Sequence, residues 1–359
     1  MNRIHNFSAG PSALPLPVLE QAAAEFVDFR GHGSSLLEMS HRGKVYDDVH
    51  NECVADLSTL LGLGDDHVVF FMGGGARTQF ALVPTNLRAA GTAGFITTGH
   101  WATGACSEAR KLGSVTELWT SAEHGHDRTP GPSDVAIPQD LAYLHYTSNN
   151  TIYGTQTAQP PLTGDVPLVC DMSSDILSAP VDVARYGLIY AGAQKNLGPA
   201  GVTLLILRKD LLARSGEGLP GMWSYSKVAG KNSMLNTPPV YAIYLVGLVA
   251  KHMLATGGAS GAQQRNARKA AMLYGAIDAD DFYAGHAQPG SRSTMNVTFR
   301  TPSADLDAAF AAAATKEGLS GLKGHRVVGG LRASIYNSVL ESSVEALVSF
   351  MKEFSRTRG

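Results

Sequence analysis

The chain has 359 residues, of which 44% are hydrophobic and 17% charged, and its formal net charge is -2. That length holds one large domain and a smaller one around a sizeable core. The charge balance excludes the basic excess of a nucleic-acid-binding surface. Three cysteines, Cys53, Cys106 and Cys170, are odd in number and widely spaced. They build no disulfide framework and point to a reducing, cytoplasmic setting. The first fifteen residues, MNRIHNFSAGPSALP, lack the apolar core of a signal peptide. The longest apolar stretch, residues 240–250, is well short of the about 20 residues a membrane span needs.

In chain order, the opening 6–12 segment (NFSAGPS) reads as a loop, since prolines at 11, 15 and 17 oppose early regular structure. Helical spacing follows over residues 18–29. A polar, glycine-rich loop then carries His41 and Arg42 to the start of a helix over 46–61. The pair has two readings: an anion contact near the helix start, or solvated loop residues. Residues 68–72 form a β-rich run. The turn GGGAR at 73–77 leads into a helical pattern from Gln79. Strand, glycine turn and helix present backbone N–H groups to a phosphate, although the same pattern serves as a plain tight turn. The segment is neither a Walker A loop nor G-x-G-x-x-G.

A strand over 93–97 runs into the loop 98–103, which holds Trp101, with a helix over 107–112. Trp101 there is either a ring platform or a packing plug. Strands follow at 141–146, 167–171, 187–193 and 202–207. The second of these ends on Asp171, whose bland reading is a turn or cap aspartate. Alternating strands and helical stretches predict an α/β fold with a mostly parallel sheet and a site along its carboxyl edge. Beyond Lys209 a polar stretch at 225–234 and the NTPP break at 236–239 precede an apolar helix over 240–254. A break at 256–261, a helix from 263, strands at 295–299 and 332–335, and helices at 306–317 and 344–354 complete a smaller α+β part. The division is residues 16–260 for the large domain, and 1–15 with 261–359 for the small one.

The centre of the reading is GLIYAGAQKNLGPAG at 187–201. A buried strand there delivers Lys195 into a glycine-rich turn. Desolvation favours the neutral amine that a Schiff-base lysine needs. The alternative is a lysine that merely caps the strand. Lys195, a strand-end Asp171, the Gly73–Arg77 turn and Trp101 together match the needs of pyridoxal phosphate. These are an amine for its aldehyde, a carboxylate for its ring nitrogen, a phosphate cradle and a ring platform.

On these residues, and on SHRG (40–43), GGGARTQF (73–80), GHWA (99–102), NNTIYG (149–154), CDMSSDI (170–176) and GHRVVGGLRASIYN (324–337), the chain resembles the phosphoserine aminotransferase family. These are class V members of the fold-type I pyridoxal phosphate enzymes, and the resemblance spans nearly the whole chain. It implies transamination of 3-phosphohydroxypyruvate with L-glutamate, for serine and also pyridoxine synthesis. It implies that Lys195 carries the cofactor, Asp171 pairs with its ring nitrogen, Trp101 stacks on the ring and Thr151 bonds the ring hydroxyl. Ala76, Arg77 and Gln194 are implied to hold the phosphate, with Asn236 and Thr237 contributed across a homodimer. Ser8 and Arg42 are implied to contact the amino-acid substrate. His41, Arg42, His325 and Arg326 would meet its phosphate or side-chain carboxylate, and Arg332 its α-carboxylate. No residue is assigned to a metal, and neither a membrane nor a nucleic acid is implied as a partner.

One departure stands out. The family pattern Asn-Glu-Thr-Ile-x-Gly-x-Glu reads here NNTIYGTQ, with Asn150 and Gln156 in place of glutamates. A cysteine desulfurase needs a nucleophilic cysteine on a late loop, but all three cysteines precede Lys195. A dinucleotide-binding dehydrogenase needs a G-x-G-x-x-G after a strand, which is absent. A non-catalytic relative predicts loss of the substrate arginines, yet Arg42, Arg326 and Arg332 are present.

Overall fold

The computed structural model describes residues 3–216 and 218–358. Its centre is a seven-stranded sheet. Across the sheet the strands are His67–Gly73, Val202–Arg208, Leu188–Gly192, Leu168–Asp171, Leu141–Thr147, Thr92–Thr97 and Val115–Thr120. All neighbours are parallel except Val202–Arg208, which is antiparallel to both strands beside it. Leu188–Gly192 is buried at every position, as expected of a strand covered on both faces. One apolar cluster, with Leu144, Ile189 and Leu204, fills one layer. Another, with Tyr143, Tyr190 and Leu205, fills a second. The alternation along each strand sends successive side chains to opposite clusters.

Several elements differ from the local pattern. The segment after Thr97 is helical from His100 to Leu112, so Trp101 stands in a helical first turn and not in a loop. The run GHWATGAC has weak helix propensity. The helix's small residues Ala102, Ala105, Cys106 and Ala109 share one buried face, and that packing outweighs the propensity cost. The edge strand Val115–Thr120 has no counterpart in the sequence reading; its exposure is mixed along its length. Between the Asp171 strand and the Lys195 strand there is no α-helix, only a 3-10 turn at Val183–Arg185. The first helix is Leu16–Ala24, with Pro17 in its first turn, where a missing N–H costs nothing. Phe29 lies beyond it, in a 3-10 turn. A short helix, Tyr225–Ala229, interrupts the stretch expected to be loop, and the helix expected from 263 begins at Gly258 and runs to Asp278.

The carboxy-terminal part has its own apolar cluster, including Leu273, Val297, Phe310, Leu347 and, from the other end of the chain, Phe7. Phe7 arrives there because His5–Asn6 pairs in parallel with Leu319–Ser320. The three strands Ala284–Gly285, Asn296–Arg300 and Leu331–Ser334 form a small antiparallel sheet. Among the described residues, no single helix is long and apolar enough to cross a membrane.

Candidate active site

Parallel pairing sets the site. Thr147 lies opposite Asp171, and Asp171 opposite Tyr190. Three neighbouring strands therefore end together and release the 148–151, 172–175 and 193–198 segments on one edge. Lys195 Nζ donates to Thr151 Oγ1 at 2.6 Å. Burial, with the charge of Arg332 beside it, pushes the Lys195 ammonium down to about 8, against the opposing pull of Asp171 and Asp175.

Asp171 is buried with a defined orientation. Its Oδ1 accepts from the Ser173 N–H at 3.0 Å and from Ser173 Oγ at 2.6 Å. Ser173 Oγ accepts in turn from the Gly192 N–H at 3.0 Å, which ties the aspartate to the end of the lysine strand. Among the described residues, nothing donates to Oδ2. Burial raises the Asp171 carboxyl above its ordinary range, while the Ser173 bonds and Lys195 favour its charged form. A carboxylate with one oxygen anchored and the other free is suited to a cationic N–H donor.

The glycine turn meets the lysine strand directly. A Cβ on Gly192 would lie 2.7 Å from Gln194 Oε1 and 3.3 Å from the Ala76 Cβ, so a side chain here would displace the Gln194 amide and crowd Ala76. Ala76 and Arg77 form the 3-10 turn Ala76–Thr78 that opens the helix Gln79–Leu87. The 8–12 segment lies against the same place. The Ser12 N–H donates to the Gln194 carbonyl at 3.0 Å, Ser12 Oγ bonds the Lys195 carbonyl, and a Cβ on Gly10 would touch Lys195 Cγ at 3.4 Å. Ser8 opens that segment, its N–H held by Asn6 Oδ1 at 2.9 Å.

Half-buried Trp101 packs against the cluster that contains Ala76 and Phe80. Its neighbour His100, which the sequence reading passed over, places its ring 5.0 Å from the indole and 6.1 Å from His325. Arg332 donates to the Thr151 carbonyl at 3.3 Å, and its buried Nε has no partner. Burial and the charges of Arg332, His100 and Arg326 disfavour the protonated form of His325. Lys195, Thr151, Asp171, Gln194, Ala76, Trp101, His325 and Arg332 are thus linked through contacts within one chain. His41, Arg42, Asn236 and Thr237 are not joined to them. Arg42, Asn236 and Thr237 are exposed, and their side chains form no hydrogen bond among the described residues. His41 Nε2 is buried without a partner.

The ion pairs of the described residues leave out Arg42, Arg77, Lys195, Arg326 and Arg332. Of these, Lys195 and Arg332 meet at Thr151, and cations without an ion-pair partner there suit an anionic ligand. The free Asp171 Oδ2, the low-pKa amine, the unpartnered Arg332 Nε and the cradle at Gly192 and Ala76 fit pyridoxal phosphate and a carboxylate substrate. Asn150 also has a defined task. Its Nδ2 donates to Thr98 Oγ1 at 2.9 Å and Thr155 Oγ1 at 3.1 Å, whereas a glutamate has no amide to donate. Ser173, Asp175 and His100 are site neighbours missed from the sequence, although the motif CDMSSDI contains the first two.

The model for aminotransferase class-V matches residues 4–347, and the chain belongs to that family. Within it, the chain groups with the phosphoserine aminotransferases. It is 55% identical to the phosphoserine aminotransferase of Desulfatibacillum aliphaticivorans, over 100% of this chain and 99% of that one. It is 51% identical to that of Niallia circulans, over 99% of each. The solved phosphoserine aminotransferase from Bacillus circulans subsp. alkalophilus superposes with a TM-score of 0.97 at 50% identity, covering 99% of both chains.

Proposed function

We propose that the chain is a phosphoserine transaminase. It interconverts 3-phosphohydroxypyruvate and L-glutamate with O-phospho-L-serine and 2-oxoglutarate, a step of serine biosynthesis. The observation that carries this reading is the half-buried Lys195, its amine held at 2.6 Å by Thr151 beside Asp171 and Arg332. The identity to named phosphoserine aminotransferases, 55% over the whole chain, gives the substrate class. Pyridoxal phosphate, when bound, supplies an electrophilic carbonyl and an electron-accepting ring.

Each residue then has a task. Lys195 holds the cofactor and, once displaced by substrate, moves a proton to and from the substrate Cα. Asp171 Oδ2 accepts the ring N–H, Thr151 meets the ring hydroxyl and Trp101 covers the ring face. Ala76, Arg77 and Gln194 bind the phosphate. Arg332 clamps the substrate α-carboxylate through its planar fork. Ser8 and Arg42 contact the amino acid. His41, Arg42, His325 and Arg326 neutralise either a phosphate or a carboxylate, which suits an enzyme that alternates between two acidic substrates.

Asn236 and Thr237, exposed and without a side-chain hydrogen bond among the described residues, serve a second copy's phosphate site in a homodimer. Exposed apolar side chains at Phe26, Val27, Leu37 and Trp223 are available for such an interface. Residues 16–260 act as the cofactor domain, and residues 1–15 with 261–359 as the domain that brings Arg332 and His325. The three cysteines are free and buried, in keeping with a cytoplasmic enzyme. The deciding experiment is the absorption spectrum of purified holoenzyme mixed with single amino acids. Phosphoserine and glutamate should bleach it, while serine and alanine should not. A colourless protein that takes up no pyridoxal phosphate would refute the reading. A monomer in sedimentation velocity would refute the shared site, and adding phosphohydroxythreonine tests the pyridoxine branch.

A further inference from the structure

The motif CDMSSDI holds a second acid, Asp175, to which nothing above assigns a task. Its carboxylate is buried. Ser148 Oγ lies 2.5 Å from Oδ1, and Gln156 Nε2 donates to Oδ2 at 3.1 Å. Gln156 is held from its other side, where its Oε1 accepts from the Thr294 N–H at 3.0 Å and from Thr294 Oγ1 at 3.2 Å. The amide orientation is therefore determined by its partners: the carbonyl faces two donors, so the NH2 group must face Asp175. A glutamate at 156 would set a second carboxylate against Asp175.

Ser148 connects this pair to the site. Its Oγ also lies 3.2 Å from the Asp171 carbonyl, which the Ser148 N–H already bonds at 3.1 Å. A hydroxyl has one proton for two acceptors. With Asp175 ionised, that proton goes to the short Asp175 contact. With Asp175 neutral, the carboxyl can donate to Ser148, and the hydroxyl turns to the Asp171 carbonyl. The charge on Asp175 thus reaches the backbone of the residue that faces the cofactor ring.

We propose that Asp175 is a positioning residue for the cofactor, a second buried carboxylate that stands beside the Lys195 segment and orients Ser148 behind Asp171, with the neutral amide of Gln156 sustaining its charge. The inference rests on the reading of Lys195 and Asp171 as the cofactor pair. The groups facing Asp175 are consistent with it. Asp171 and Cys170 lie on the neighbouring strand end, and Tyr186 on the chain that returns to the sheet. The Lys195 segment packs against it, for Asn196 Nδ2 donates to the Ile176 carbonyl at 3.1 Å, so Lys195 is the cation whose charge acts on Asp175, and Arg332 opposes it at that lysine. Burial, with Asp171 adding to it, pushes the Asp175 carboxyl up to about 6, against the bonds from Ser148 and Gln156. The carboxylate form therefore prevails above that pH. A cavity of about 180 Å³, lined by Ser148, Gln156, Asp175 and Arg185 among others, gives water access to that side.

The test is a pH titration of the visible absorbance of holoenzyme, with the melting temperature of the cofactor-free protein as a second readout. Asp175→Asn should lower the pH at which the cofactor-bound lysine nitrogen loses its proton, by on the order of half a pH unit or more. Asp175→Glu, which keeps the charge and has the cavity to lengthen into, should restore the wild-type midpoint. Should Asp175→Asn fail to fold, Gln156→Met serves. It removes the donor, favours neutral Asp175 and should shift the midpoint the same way by less. A folded Asp175→Asn protein that titrates like wild type would overturn the proposal. So would an Asp175→Glu protein displaced as far as the asparagine variant, because packing and not charge would then be the cause. Failure of the underlying reading looks different: wild-type holoenzyme reduced with borohydride would carry its label on a lysine other than Lys195.

Discussion

The Lys195 amine and the Thr151 hydroxyl, 44 residues apart in sequence, meet at 2.6 Å because their strands end on the same edge of one sheet, on either side of the strand that ends at Asp171. The contact keeps a desolvated amine satisfied until a carbonyl arrives. It also ties the lysine to the segment whose backbone carbonyl accepts from Arg332. The Lys195 amine and the Arg332 guanidinium are thus joined through one residue.

Lys195 should react with a small carbonyl reagent, in cofactor-free protein, with a pH midpoint near 8. Only the neutral amine attacks, so the rate should climb with pH and level off above that value. An ordinary lysine, with a pKa of about 10.4, would keep gaining rate to much higher pH. A midpoint above about 10 would show that burial is not acting on this amine. Lys195→Ala should lower turnover by at least about 10³-fold, the scale of a lost proton carrier and nucleophile.

Asp171→Asn keeps the Oδ1 anchor to Ser173 but loses the charge that Oδ2 presents. Turnover should fall by roughly 10²-fold or more. Thermal stability of the cofactor-free protein should hold or rise, since a buried carboxylate of raised pKa becomes a neutral amide. For such a raised carboxyl the folded state binds the proton more tightly. Wild-type stability is therefore penalised as pH rises from the unfolded value towards the folded one, and the variant lacks that loss. Thermal melts across pH 4 to 8 (a window of about four units around the carboxyl range) read this directly. Identical pH profiles would contradict it.

Gly192→Ala would press a methyl group to within 2.7 Å of Gln194 Oε1 and 3.4 Å of the Ala76 nitrogen. Pyridoxal phosphate affinity should weaken at least about tenfold, equivalent to 1.4 kcal/mol. Titration of cofactor into cofactor-free protein measures it, and unchanged affinity would remove this contact from the phosphate cradle.

Arg332→Lys retains the charge but loses the planar fork. KM for phosphoserine and for glutamate should both rise, roughly ten- to a hundredfold, the range expected for a lost charge-assisted hydrogen bond. A rise for one substrate alone would move Arg332 from the shared α-carboxylate to a side-chain role.

Asn149 ties the large sheet to the carboxy-terminal strands. Its Nδ2 donates to Ser174 Oγ at 2.8 Å and Asn296 Oδ1 at 2.8 Å, and its Oδ1 accepts from Ser293 Oγ at 2.5 Å. Asn149→Ala leaves Asn296 Oδ1 without a donor and the buried Ser293 hydroxyl without an acceptor, and should cost at least about 2 kcal/mol. Urea denaturation of the cofactor-free protein gives the value, and a loss below about 0.5 kcal/mol, the usual size for a surface change, would mean that water replaces the amide.

The sequence by itself determined the chemical parts and their order. A strand ends on Asp171, another delivers Lys195 into a glycine turn, and a glycine-rich turn opens a helix at Ala76. These are local properties, written in apolar runs and turn residues whose periodicity needs no partner to be read. Only the tertiary structure decided who touches whom. The helix carrying Trp101 begins early because its alanine face packs on the sheet, a gain absent from local propensity. Val202–Arg208 runs antiparallel, a choice invisible in a strand buried on both faces. Gln156 gained its meaning from Asp175, 19 residues on, and Thr294, 138 residues on. Hydrogen-bond satisfaction of a buried carboxylate is a property of the assembled pair, and neither residue's local sequence carries it.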